Sequence, residues 1–189
     1  MSVVDGTGGA SVVPSGRWSV DASRSSVAFA VKHMMLTTVR GRFREFDGTL
    51  QIGSGAPRAA GAVRAASIDT NELVRDEHLQ RSPDFFDVER FPEIGFHSTR
   101  IDSLDGGRFR IVGDLTMRGV TREIALDAQL GGTRSEAGDD ERIELELRGE
   151  LNRRDFGLTW NQALETGGAL LGNKVKIALE ISAVRSEAA

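Results

Sequence analysis

A dense group of side chains that could do chemistry lies in one stretch, RDEHLQRSPDFFDVERFPEIGFHS, which runs from Arg75 to Ser98. It contains two of the three histidines in the chain, His78 and His97, together with arginines, aspartates and phenylalanines. Because histidine titrates near neutral pH, the first hypothesis for such a cluster is an acid–base site. The segments on either side alternate like β-strands and this stretch does not, which predicts an insert between strands.

Ser82, His78 and Asp76 are residues of the types that form a nucleophilic triad. Asp76 and His78 are two residues apart, so on a helix they do not face each other. The sequence also has no G-x-S-x-G turn to present a serine and no obvious oxyanion loop. We therefore predict no catalytic residues from this pattern.

The three histidines fall on three different predicted elements, with His33 and His97 on strands and His78 on a helix. Zinc sites usually contain at least one closely spaced pair of ligands, and the chain has no H-E-x-x-H pair and no cysteine. No metal site is therefore predicted. His33 ends an otherwise apolar strand face, which leaves open whether it lines an interior or a rim.

The charges exclude some classes of protein. With 24 basic and 28 acidic residues the net charge is -4, which argues against a general nucleic-acid-binding protein. Arg40, Arg42 and Arg44 share one face of a predicted strand, where they bind an anion or form a solvated surface balanced by acidic neighbours.

No apolar run approaches the ~18 residues of a membrane-spanning helix. The small, polar, glycine-rich beginning of the chain lacks the basic and apolar regions of a secretion signal, so the expected location is the cytoplasm.

Alternation with a period of two provides the elements that position these residues. Val27, Phe29, Val31 and His33 share one face of the segment SVAFAVKHM. The same pattern recurs in VRGRFREF, RFRIVGDLTM, REIALDAQL, RIELELRGEL and KVKIALEISAV. With RWSVD, AVRAASID and EIGFHSTRID, these segments predict eight or nine antiparallel strands with one apolar face.

Eight such strands must close on themselves or leave edges that invite aggregation. The predicted fold is therefore all-β, an eight-stranded antiparallel barrel, with a two-sheet sandwich left open as an alternative. Small residues on the inward faces, Gly41, Gly113, Ala128 and Ala183, favour a cavity. We place the barrel domain at residues 16–185, between flexible tails at 1–15 and 186–189.

Two segments interrupt the strands. Asp69, Thr70 and Asn71 are candidate N-caps for a short helix over residues 72–81, and Ser82 followed by proline predicts a second helical turn. The helical insert is thus expected near residues 71–87. The glycine-rich, aperiodic stretch 152–173 predicts a long crossing loop with one helical turn.

Five segments in this order resemble the YceI-like family of lipocalin-like, lipid-binding proteins: RWSVDASRSSVAFAVKH, VRGRFREFDGTL, SIDTNELVRDEHLQRSPDFFDVERFPEIGFHS, VGDLTMRGVTREIAL and NRRDFGL. The R-D-x-H-L element that begins at Arg75, the F-F-D that begins at Phe85 and the G-D-L-T-x-R-G-V-T run that begins at Gly113 carry the match, which covers about residues 16–184.

The resemblance implies an eight-stranded lipocalin-like barrel with an elongated apolar interior. It implies binding of a long-chain isoprenoid lipid, typically a polyprenyl diphosphate or an isoprenoid quinone, and no other cofactor. It also implies a homodimer. Many family members carry a secretion signal, and this sequence departs from them there.

Such a ligand assigns roles to particular residues. His33, Arg75 and His78 are the donors expected at the lipid head group, because arginine binds phosphate through two hydrogen bonds at once. Asp76 is placed with them, orienting Arg75 or capping the backbone. The residues expected to line the cavity for the tail are Phe29, Phe43, Phe86, Phe96 and Trp160. Arg154 is expected to be structural.

Two further hypotheses stay open beside a lipid carrier. The first is an enzyme that acts on such a lipid, with His78 as general base. The second is a ligand-free, stress-related structural module in which the insert is simply a lid.

Overall fold

The computed structural model describes residues 12–135, 140–164 and 168–186. These residues form eleven strands and one α-helix, α1 (Leu73–Arg81). The strands are β1 (Gly16–Val20), β2 (Ser26–His33), β3 (Thr37–Phe43), β4 (Phe46–Gly53), β5 (Gly55–Arg64), β6 (Ile68–Asp69), β7 (Glu93–Ser103), β8 (Arg108–Met117), β9 (Val120–Arg134), β10 (Arg142–Asn152) and β11 (Leu171–Ser186).

The sheet closes into an eight-stranded antiparallel barrel in the order β1-β4-β5-β7-β8-β9-β10-β11, with β11 returning to β1. β1 and β2 are two halves of one bent strand, because β11 pairs with β2 along its first half and with β1 at its end. β3 and β4 form a second bent strand that follows the same course. The predicted barrel is confirmed, and the sandwich alternative is wrong.

The predicted faces of the strands are confirmed as well. Val27, Phe29, Val31 and His33 all line the interior of the barrel. Arg40, Arg42 and Arg44 point outward and are exposed. The row of arginines is a solvated surface with acidic support, because Arg42 and Arg44 both pair with Asp69.

Tight turns join the strands where glycine allows them. The β7–β8 turn contains Gly106 and Gly107, and the β8–β9 turn is Arg118–Gly119. All four of these turn residues have positive φ. Glycine adopts such angles without the steric cost that a Cβ brings.

The insert, residues 70–92, connects β6 to β7 and contains α1. The predicted helix is confirmed to within a residue, but the predicted N-caps are wrong. Glu72 caps the helix instead, and its carboxylate accepts hydrogen bonds from the backbone N–H groups of Val74 and Arg75. The second helical turn is also absent from the described residues, since the stretch after Ser82 forms only hydrogen-bonded turns.

One end of the barrel, here called the Trp18 end, is packed by a cluster of Val13, Trp18, Leu130, Ile143 and Ala183. Trp18 and Ile143 are completely buried. The opposite end, the insert end, consists of the insert together with the β2–β3 turn, the β8–β9 turn and the beginning of β11. The packed region begins earlier than the predicted boundary at residue 16, because Val13 is buried.

The predicted tails lie mostly outside the described residues, which omit 1–11 and 187–189. The described part of the chain contains no helix long and apolar enough to cross a membrane. The described residues between β10 and β11, 153–164 and 168–170, start with one 3-10 turn, Arg153–Phe156.

Candidate functional site

A cavity of about 780 Å³ occupies the barrel interior. Its wall reaches from Val13 and Trp18 at one end to His78 and Trp160 at the other. The inward faces of the strands supply mainly valine, leucine, isoleucine and phenylalanine to that wall. The strand alternation read from the sequence thus produces a space that is apolar over most of its surface.

The shape of the cavity follows from the barrel. The wall residues of β11 extend from Leu171 to Ala183. With ~3.3 Å per residue and a strand tilt of ~40°, that segment spans roughly 30 Å along the barrel axis. A volume of about 780 Å³ over such a length describes a narrow channel, which suits a single chain better than a bulky ring system.

Two inward glycines keep the channel open. Gly41 lies opposite Phe29 in the β2–β3 pair, and a Cβ at Gly41 would stand 2.3 Å from the end of the Phe29 ring. A Cβ at Gly113 would stand 2.5 Å from the ring of Phe96. The end of each ring thus occupies the space where a side chain at the glycine would begin.

All five aromatic residues predicted for the tail line this cavity: Phe29, Phe43, Phe86, Phe96 and Trp160. Phe43 links two of them, with ring centroids 5.6 Å from Phe29 and 5.9 Å from Phe86. Phe86 belongs to the insert, so these contacts join the insert to the wall. Such aromatic pairs stabilise packing beyond the area they bury.

Arg75 and Asp76 both form hydrogen bonds with Thr70 and not with each other. The buried carboxylate of Asp76 accepts hydrogen bonds from the backbone N–H and the hydroxyl of Thr70, at 2.9 and 2.5 Å. Arg75 donates to the Thr70 hydroxyl at 2.8 Å and to its carbonyl at 2.9 Å. Arg75 and Thr70 line the cavity, whereas Asp76 is not among the wall residues and acts through Thr70.

The two predicted histidines also reach the cavity wall. His78 is exposed to solvent, and its ring stands edge-on to the ring of Phe85 with centroids 5.4 Å apart. His33 is half-buried at the end of β2, where it pairs with Leu171 of β11. His97 lies on the outer face of β7, away from this wall.

The structure does not assemble the triad that can be drawn from the sequence. Asp76 is occupied by Thr70, and the Ser82 hydroxyl accepts a hydrogen bond from the backbone N–H of Asp84. Neither side chain bonds to the ring of His78. Among the described residues, no group of three or more histidines and carboxylates is placed to hold a metal ion.

Arg153 is the wall residue that sequence reasoning missed. It is only 3% exposed, and its guanidinium donates to four backbone carbonyls, those of Leu158, Trp160, Leu171 and Gly172. Arg154, which the sequence analysis expects to be structural, is exposed and lies outside the wall. The two arginines begin a 3-10 turn, where no alternation indicates which one points inward.

Burial governs the electrostatics of this arginine. Desolvation lowers the pKa of the Arg153 guanidinium, and the nearby charge of Arg154 lowers that pKa further. An arginine starts so far above neutral pH that it stays charged. The cavity wall therefore contains a buried positive charge.

Comparisons with known proteins agree with this fold. Residues 18–183 match the family model of the YceI-like domain. A UPF0312 protein of Staphylococcus aureus (strain N315) is 33% identical over 163 residues, which cover 84% of this chain and 92% of that protein.

Solved structures with the same fold include BcnA of Burkholderia cenocepacia, with a TM-score of 0.72 and 19% identity over 86% of this chain and 98% of that one. The YCEI protein of Campylobacter jejuni has a TM-score of 0.69 and 25% identity, covering 82% and 90% of the two chains. A polyisoprenoid binding domain from Saccharophagus degradans has a TM-score of 0.66 and 16% identity, covering 89% and 98%.

Proposed function

The chain belongs to the YceI-like domain family, and on that premise we propose that it binds and carries or sequesters a long-chain isoprenoid lipid in its barrel. The observation that supports this most strongly is the narrow, apolar cavity of about 780 Å³. A ligand-free module would be expected to fill its barrel with side chains, and this barrel is not filled.

The tail of the lipid would lie along the channel. Each Å² of apolar surface that it removes from water contributes about 25 cal/mol, so a long tail binds without tail-specific contacts. Phe29 and Phe96 reach over Gly41 and Gly113, which leaves more of the channel open to the tail. The solved polyisoprenoid binding domain from Saccharophagus degradans shares this fold, which is consistent with such a ligand.

The head group would lie at the insert end. Arg75 and His78 reach the wall from α1, and His33 reaches it from the end of β2. In this proposal Asp76 orients Arg75 through Thr70 and does not touch the ligand. Pairing of two chains into a homodimer stays a prediction.

Organic extraction of the protein purified from its native host tests the proposal directly. We expect mass spectrometry of the extract to show an apolar lipid whose fragments are spaced by one isoprene unit. The protein stripped of lipid should then bind a polyprenol, followed by quenching of tryptophan fluorescence, because Trp18 and Trp160 both line the cavity.

Matched variants on one strand separate the cavity from the surface. Val175 of β11 lines the channel, and the next residue, Lys176, is exposed on the outer face. Val175→Phe should narrow the channel and weaken polyprenol binding at least about tenfold, a loss of roughly 1.4 kcal/mol. Lys176→Phe should leave binding unchanged. Extracts without lipid, together with no polyprenol binding by the stripped protein, would refute the proposal.

A further inference from the structure

Most of the large apolar side chains that are exposed on this protein lie in two short segments at the insert end. Among the described residues seven such side chains are exposed, and five of them are Met34, Met35 and Leu36 in the β2–β3 turn and Leu73 and Val74 at the start of α1. Leu36 is 87% exposed and Leu73 is 86% exposed. Single exposed apolar residues are ordinary on a protein surface, whereas a cluster of them marks a site of interaction. These five residues are here called the apolar rim.

Both segments of the apolar rim lie at the same mouth of the cavity. His33, which precedes Met34, and Arg75, which follows Val74, line the cavity wall. β6 is antiparallel to β3, so the chain that leaves β6 runs alongside β3 toward the β2–β3 turn before α1 begins. The rim residues themselves are not part of the wall, and they therefore surround the entrance without filling it.

The strand edge next to the apolar rim is incompletely paired. β3 pairs with β2 along its whole length, but its other edge pairs with β6 only at Arg42 and Phe43. From Thr37 to Gly41 that edge has no strand partner among the described residues. The hydrogen-bonded wall of the barrel is thus interrupted between β3 and the insert, beside the exposed apolar side chains.

Two residues of the apolar rim are presented at a conformational cost. Met34 and Met35 have φ of 55° and 61°. Left-handed angles are unfavourable for a residue with a bulky side chain, and glycine would adopt them freely. Strain of this kind is commonest at sites where a protein binds something, which is consistent with a role for the two methionine side chains.

Positive charges frame the apolar rim. Lys32 and Arg40 stand on either side of the β2–β3 turn, both are exposed, and neither has a carboxylate partner among the described residues. Glu72 is the acid that adjoins the rim in sequence, and its carboxylate accepts hydrogen bonds from the backbone N–H groups of Val74 and Arg75. Apolar side chains framed by unpaired cations are the combination that binds the surface of an anionic bilayer.

Resting on the proposed function, we propose that the apolar rim docks the protein onto the surface of a lipid bilayer that contains anionic lipids, with the mouth of the cavity facing the membrane. A long isoprenoid tail is costly to expose to water, so a carrier that takes it directly from the bilayer avoids that cost. Lys32 and Arg40 then lie against lipid phosphates. The unpaired edge of β3 keeps the docking at head-group depth, because free backbone N–H and C=O groups are not tolerated in the hydrocarbon core.

Centrifugation of the protein with lipid vesicles measures the docking. The vesicles contain phosphatidylcholine and phosphatidylglycerol in equal parts. Leu36→Ser together with Leu73→Ser should weaken binding at least about tenfold, because both side chains lose their burial in the interface. Leu104→Ser is the matched control, since it removes an exposed leucine beside the β7–β8 turn at the Trp18 end, and it should bind like wild type. An equal loss in Leu104→Ser would overturn the proposal.

A second pair of variants tests the charges. Lys32→Gln together with Arg40→Gln should weaken binding to the same vesicles at least about fivefold and leave binding to pure phosphatidylcholine unchanged. Arg17→Gln together with Arg58→Gln removes the same charge from exposed positions at the Trp18 end and should have no effect. Equal losses in the two pairs would show a general attraction of the whole protein to anions and overturn docking by this face.

Polyprenol binding in the absence of vesicles separates this proposal from the proposed function. The double leucine variant should bind polyprenol in solution like wild type but take it up from vesicles at least about tenfold more slowly. Wild-type protein that binds polyprenol but no vesicles would overturn the docking and leave the lipid binding intact. Wild-type protein that binds no polyprenol would overturn the proposed function. A wild-type dimer that binds no vesicles, and that the leucine variant converts to a monomer, would assign the rim to a second copy of the chain instead.

Discussion

The two ends of the barrel satisfy their charged groups in different ways. At the Trp18 end, Arg142 and Arg185 form ion pairs with Asp21 and Glu141. At the insert end, Arg75 is held by the hydroxyl and carbonyl of Thr70, and Arg153 by carbonyls alone. The insert end also has ion pairs, such as Arg90 with Asp87, but Arg75 and Arg153 have no carboxylate partner among the described residues.

Backbone strain follows the same division. Among the described residues, all five non-glycine residues with positive φ lie at the insert end: Met34, Met35, Asn71, Asp87 and Arg118. The turns at the Trp18 end place glycines at such angles, for example Gly53, Gly55, Gly106 and Gly107. Strained backbone is commoner where a protein binds than where it only packs. The strained backbone thus lies at the end of the barrel where the head group is proposed to bind, and the Trp18 end is the packed end.

Removing a side chain from the Trp18 end should produce the largest loss of stability. Ile143 is completely buried and lies outside the cavity wall. We expect Ile143→Ala to lower the free energy of unfolding in urea by about 2–5 kcal/mol while the folded fraction still binds polyprenol normally. Leu73→Ala, on a residue of α1 that is 86% exposed, should change that free energy by less than about 0.5 kcal/mol. A loss of unfolding free energy in Leu73→Ala as large as that in Ile143→Ala would contradict the difference between the two ends.

Filling the space under Phe29 should affect both stability and binding. In Gly41→Ala the new methyl group displaces that ring into the channel, so we expect a loss of about 1–3 kcal/mol in unfolding free energy and weaker binding of the tail. Gly95→Ala is the control, because nothing lies within 4 Å of a Cβ there. Unchanged polyprenol affinity in Gly41→Ala would contradict the role of this glycine in keeping the channel open.

Relieving strain at the insert end should stabilise the protein. Met34 and Met35 have φ of 55° and 61° in the three-residue turn between β2 and β3, left-handed angles that Asn and Gly adopt at the lowest cost. The double change Met34→Asn with Met35→Gly should raise the free energy of unfolding by about 1 kcal/mol. Replacing both methionines with alanine removes the same side chains but keeps the Cβ strain, and should give no such gain. Equal gains in the two variants would attribute the effect to the side chains.

Acid should weaken the Trp18 end through Asp21, with the smallest effect. The hydrogen bond from Ser23 and the bond from Arg142 hold the pKa of this carboxyl below its ordinary value. Such a group contributes stability above its unfolded pKa and loses it as pH falls through the folded pKa. Thermal midpoints of wild type and Asp21→Asn should therefore differ at neutral pH and converge in acid. Asp105→Asn, at an exposed position, is the control. A difference in thermal midpoint between wild type and Asp21→Asn that grows in acid would contradict the prediction.

Local pattern was enough to predict most of the wall. Alternation in β2 placed Phe29 and His33 inside, and alternation in β3 placed Arg40 outside, because successive residues of a strand face opposite ways. The helix was predicted from capping residues and not from alternation, and the residues chosen as caps were wrong although the helix is present. Glu72 could not be singled out, because three better capping residues precede it.

Period and order along the chain are enough to predict the strand faces, the barrel and the family. Which polar groups bond to one another depends on the folded chain. Asp76 and Arg75 are adjacent in sequence yet meet through Thr70, and Arg153 rather than Arg154 enters the wall because a 3-10 turn and the loop carbonyls direct it there. Those partners come from distant segments, and no local pattern specifies them.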